Sequence, residues 1–215
     1  MASRPTFLCG LVAALLATAA TADPIADWRD LQARCGAAME RGAPLDVAGL
    51  EGRRPDVRPD RTRTIGNRTV TSRGPARART TAIATGTWAH RLGHFQMRLI
   101  EYPTASGTRA ICEVVPRRNA PPLTDAQTRA LRAAFGEMRA AAIASGRWRD
   151  AGLDADPPVL REGIRRIRPN PRRCPVIASL TIDPSRDYVR SSVSETAEDL
   201  TCGGPSMFSA GRTDL

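Results

Sequence analysis

Lysine is absent from this 215-residue chain, histidine occurs only twice, and aromatic residues make up 4% of it. Each shortage removes a class of chemistry. A P-loop needs a lysine after its second glycine, so nucleotide binding of that kind is excluded. No two glycines stand in a G-x-G spacing, which removes the dinucleotide fingerprint. No C-x-x-C occurs, so neither a thioredoxin-like redox pair nor a zinc knuckle is indicated, and no G-x-S-x-G nucleophile elbow is present. With few aromatics, a core must be filled by Ala, Val, Ile and Leu. The sequence assigns no cofactor, no metal and no catalytic residue.

Long apolar runs are scarce too, and the one that exists is at the start. Met1–Arg4 carries a positive charge, Phe7–Ala20 is apolar, and Ala20-Thr21-Ala22 forms an A-x-A site before Asp23. That is the pattern of a secretory signal peptide over residues 1–22, too short in its apolar part to span a bilayer. The expectation is a periplasmic or secreted protein, cleaved near Ala22, with no transmembrane span in the mature chain. Residues 23–200 read as one domain and 201–215 as a flexible tail.

Charge is present in one dominant sign. The net charge is +10, carried by arginine alone. Two runs concentrate it. Residues 52–79 hold nine arginines against Asp56 and Asp60, and residues 161–173 hold six against Glu162. Both read as basic loops too poor in apolar residues to pack. Their candidate polyanion contacts are Arg53, Arg54, Arg61, Arg63, Arg165, Arg166, Arg168, Arg172 and Arg173. Export makes an anionic envelope component, or an envelope protein, the expected partner, and nucleic acid an unexpected one.

Cys9 falls within the leader. Cys35, Cys112, Cys174 and Cys202 remain, an even number that suggests two disulfides in an oxidising compartment. Four cysteines allow three connectivities. Cys35–Cys112 with Cys174–Cys202 is the favoured one. It joins the first helix to a strand, and ties the two ends of the last hairpin. The main rival is Cys112–Cys174 with Cys35–Cys202.

Helical spacing of Trp28, Leu31, Cys35, Ala38 and Met39, after Asp23-Pro24 and before Gly42, predicts a first helix. Thr80–Ala89, then alternation over Phe95–Leu99 and Ala110–Val115, predicts a three-stranded meander. His90–His94 would be its first turn, with Gly93 left-handed. Thr124-Asp-Ala-Gln127 is a capping box, and Leu131, Phe135, Met138 and Ala142 continue a second helix. Val176–Ile182 and Tyr188–Val193 flank a Pro184 turn, a hairpin. The expected fold is therefore α+β: two helices packed on antiparallel sheet, in the order helix, three-stranded meander, helix, hairpin.

His90 and His94 are the residues from which chemistry would be built. Facing each other across a turn, they are two ligands short of a metal site, and either could act as a general base. Glu101 and Glu113 in adjacent strands form a second candidate pair. Three readings follow: a non-catalytic envelope binding or accessory protein, a small secreted hydrolase using His90 or His94, and a purely structural subunit.

Overall fold

A computed structural model describes residues 23–53, 84–104, 106–153, 158–167, 174–196, 202–204 and 207–208. Residues 1–22, read above as a leader, most of the first basic run and residues 209–215 lie outside them.

Helix α1 (Pro24–Arg41) begins where Asp23 Oδ1 accepts the N–H of Ile25 at 3.0 Å, with Pro24 in the first position. It ends at Gly42, whose φ of 60° suits a residue without Cβ and whose N–H bonds Ala38 O. Helix α2 (Asp125–Ala144) opens on the reciprocal capping box of Thr124 and Gln127. No described helix is long and apolar enough to cross a membrane.

The strands correct the expected architecture. There is one eight-stranded antiparallel sheet, not a three-stranded meander with a separate hairpin. Strands β1 (Glu51–Arg53), β2 (Ala84–Ala89), β3 (Phe95–Thr104) and β4 (Gly107–Pro116) follow α1. Strands β5 (Trp148–Asp150), β6 (Leu160–Arg166), β7 (Val176–Asp183) and β8 (Tyr188–Glu195) follow α2. The order across the sheet is β1-β2-β3-β4-β8-β7-β6-β5. Each half is thus a helix and a four-strand meander, and the halves join where β4 and β8 pair antiparallel, Cys112 opposite Val193. The chain leaves the middle of the sheet at β4 and restarts at the far edge as β5.

Two physical reasons lie behind the miss. Strands β1 and β5 are three residues long and polar, and β6 reads LREGIRR, with no hydrophobic alternation to reveal it. Their backbone ladders to β2 and β6–β7 make them strands. The β4–β8 pairing joins residues about eighty positions apart, which no local pattern encodes. The two edges being only three residues long limits further edge-to-edge pairing.

Both helices contribute to one core against one face of the sheet. Trp28, Leu31 and Met39 from α1 and Leu131 and Phe135 from α2 pack with Met97, Leu99, Val114, Leu180 and Val193. Burying a large apolar side chain stabilises by about 1.5–3 kcal/mol. A buried polar chain crosses this core: Trp28 Nε1 donates to Ser191 Oγ at 2.7 Å, which donates to Gln32 Oε1 at 2.9 Å. Cys35 bonds Cys112, pinning α1 to β4, and Cys174 bonds Cys202 across the end of the last hairpin. That is the connectivity favoured from sequence.

Two further expectations change. Where described, the tail is anchored rather than frayed: Gly204 bridges Thr108, the buried Met207 receives Leu45 N–H and gives its own N–H to Glu101 Oε1, and Phe208 meets Trp88. Gly93 is not left-handed: its φ is not positive. Its role lies in the site described next.

Candidate functional site

The turn between β2 and β3 carries both histidines, and α1 lies against it. His90 Nε2 is 2.8 Å from Asp30 Oδ2, which also accepts from Arg34 Nε at 2.8 Å. Burial would raise the Asp30 pKa, but the hydrogen bonds and charges of His90 and Arg34 outweigh it and hold the carboxyl below its ordinary value. His94 feels the charge of a different carboxylate, Asp27, one turn earlier on the helix. Asp27 is only 6% exposed. Its Oδ2 accepts the N–H of the fully buried Phe95 at 2.6 Å.

Gly93 is what allows this approach. A Cβ there would sit 2.6 Å from Asp27 Oδ1, inside any real contact. Asp27 Oδ1 and His94 Nε2 are themselves both buried without a hydrogen-bond partner. Burial pulls the His94 pKa below its ordinary 6.5, and the charge of Asp27 acts in the opposite direction. The imidazole is therefore neutral at neutral pH.

His94 lines a cleft of about 560 Å³ at this end of the molecule. Leu92, Gly93 and Gln96 continue its wall from the turn and β3, and Arg117, Arg118 and Asn119 close it from the segment after β4. Pro24 of α1 and Gln127 of α2 form the remaining side. Arg117 is built in: its Nη1 donates to the carbonyls of His90, Arg91 and Gly93 at 3.1–3.3 Å and so holds the turn. Arg118 is exposed. No described carboxylate pairs with Arg117 or Arg118. The rim holds Leu92, 67% exposed. The cleft is thus cationic, with a neutral imidazole in its wall and an apolar side chain at its mouth.

His90 is engaged by Asp30 rather than by a shared site with His94, and no group of three metal-ligating side chains occurs among the described residues. Glu101 and Glu113 are not a carboxylate pair either. Register puts Ala110 opposite Glu101 and Arg98 opposite Glu113, so the two acids point to opposite faces. Glu113, on the face away from the helices, is clamped by Arg98 and Arg190.

The basic runs fare differently. Arg54, Arg61, Arg63, Arg168, Arg172 and Arg173 lie outside the described residues, and Arg53 ends β1. Arg161–Arg166 is strand rather than loop, so Arg165 and Arg166 point to opposite faces and make no joint surface. Arg166 Nη1 donates to Glu40 O at 2.9 Å and caps α1.

Sequence reading found the histidines but not Asp27, Asp30, Arg117 or Arg118. A usable signal existed for Asp27. It stands four residues before Leu31 and so on the apolar stripe, where a carboxylate needs a partner. Arg117 carried no signal, because its task is to bind carbonyls that only the folded turn brings together.

Comparison with protein-family models, with curated proteins and with solved structures finds no match to this chain.

Proposed function

We propose that this is an exported, non-catalytic binding protein of the cell envelope whose cleft takes an anionic amphiphile, a lipid-like molecule with a phosphate or similar headgroup. The observation that carries the reading is the cleft itself: Arg117 and Arg118, which have no carboxylate partner among the described residues, beside the exposed Leu92. Two disulfides agree with an oxidising compartment. The leader read in residues 1–22 predicts mature protein starting at Asp23. N-terminal sequencing of the exported chain checks this, and a start at Met1 overturns it.

The binding test is retention on phosphatidylglycerol vesicles at low and high ionic strength. A basic side chain near an anionic surface contributes about 1 kcal/mol. Arg118→Glu should therefore weaken binding about fivefold or more, and Leu92→Ser should weaken it without altering the salt dependence. Retention that ignores both salt and Arg118→Glu rejects the reading.

A second reading, a small hydrolase with His94 as general base, draws on the same imidazole and the carboxylate behind it. Among the described residues no hydroxyl or thiol side chain lines the cleft, so the nucleophile would be water. Ester hydrolysis lost in His94→Gln would favour it over simple binding.

A further inference from the structure

We propose that the cleft takes up its anion together with one proton, held on His94 and braced from behind by Asp27. This rests on the anion-binding reading of the cleft and adds its regulation: binding tightens as the surroundings acidify.

The geometry leaves an unfinished interaction. Asp27 is nine-tenths buried, yet one of its oxygens has no partner, and the Nε2 of His94 is buried and unpaired as well. Leaving a polar atom buried and unpaired costs about 1–3 kcal/mol. The bond from Phe95 N–H to Asp27 and the bare backbone at Gly93 hold the carboxylate close behind the turn. The site therefore keeps the buried Asp27 charge near an imidazole that itself lines an arginine-bearing cleft.

In the empty cleft the balance favours neutral imidazole. Burial of the ring opposes a positive charge there. Asp27 alone favours it. Asp30, one turn along α1, is already engaged by Arg34 and His90, and α2 contributes only the uncharged Gln127. An anion bound between His94 and the cleft arginines puts a second negative charge beside the ring. The imidazole then takes a proton from solvent, forming one N–H bond and no other. Coupling is reciprocal, so an anion that raises the proton affinity of His94 is itself bound more tightly, by the same factor, once the proton is on.

The sign is definite. Free His94 titrates below the ordinary imidazole range, and anion-bound His94 titrates above its free value. Affinity rises as pH falls between the two, by at most about tenfold per pH unit for one linked proton.

The probe is a short-chain phosphatidylglycerol used below its micelle concentration. Its phosphodiester stays ionised across this range, so pH acts on the protein alone. Binding is measured by calorimetry from mildly alkaline to mildly acidic pH, on wild type and His94→Gln. Imidazole resonances are followed by NMR, with His90 as internal reference. The expected result is several-fold tighter binding to wild type at acidic pH and a flat profile for His94→Gln. The His94 midpoint should move up on saturation while that of His90 stays. A flat wild-type profile, an unchanged slope in the variant or an unmoved His94 midpoint overturns the proton linkage while leaving the anion reading intact. No binding at any pH overturns the anion reading itself. Should His94→Gln not fold, the wild-type resonances decide alone.

Discussion

Gly93 shows how much a single missing Cβ can place. Helix α1 brings Asp27 against the first hairpin only because nothing occupies the space at 93. Gly93→Ala forces a 2.6 Å approach to the carboxylate, and overpacking of this kind costs about 1–3 kcal/mol. Urea denaturation should show that loss with the slope unchanged. Asp27→Ala tests the same contact from the other side. It strips the acceptor from the N–H of Phe95, a residue with no exposed surface. An orphaned buried donor costs about 1–3 kcal/mol. Amide exchange at Phe95 should accelerate more than at Met97, which keeps its ladder to Val114. Glycine at 52 and 86 works in a related way, leaving room for the Trp88 indole on the helix-side face.

Elements are held to one another by a few long-range ties. Helix α1 is bound covalently to the middle of the sheet through Cys35–Cys112, 77 residues apart, whereas Cys174–Cys202 spans 28. Loop-closure arguments assign roughly 4–5 kcal/mol to the first and roughly 3–4 to the second. The double alanine variant of the first pair should therefore melt lower than that of the second. If the second proves the more damaging, the chain-entropy account fails here. Helix α2 depends more on its own start. Removing the Thr124 hydroxyl breaks one half of the capping box, and Thr124→Ala should lower stability by about 1 kcal/mol. Its helical stripe and cap were legible because every interaction involved is within four residues. Strands β5 and β6 were not, since an arginine-rich segment becomes strand only when β7 is there to bond it.

Acid stability belongs to the whole molecule, because it sums groups on several elements. The folded pKa of His94 lies below its ordinary 6.5. The unfolded chain therefore binds this proton more readily, and stability falls as pH drops from 6.5 through the folded value. Asp30 is also depressed, below 3.8. Its contribution is present above 3.8 and is lost as pH falls through its own folded value. Equilibrium unfolding against pH should thus decline in two stages, and His94→Gln should remove the upper one only. A single-stage profile identical in wild type and variant would contradict the placement of His94.

The helices with their caps and the central strands could be read from spacing, because they rest on contacts between near neighbours in the chain, and the two disulfides from the number of cysteines and the elements that carry them. The strand count, the joining of two helix-plus-meander halves at β4 and β8, and the splitting of Arg165 from Arg166 could not. These depend on backbone hydrogen bonds between segments as much as 83 residues apart, which any strand of suitable length can make. The site divides the same way. His90 and His94 stand out as the chain's only imidazoles, but their chemistry comes from Asp30, Asp27 and Arg117, which folding alone brings to them. Electrostatic fields and burial act through space, and the distances that set them exist only once α1 has docked on the hairpin.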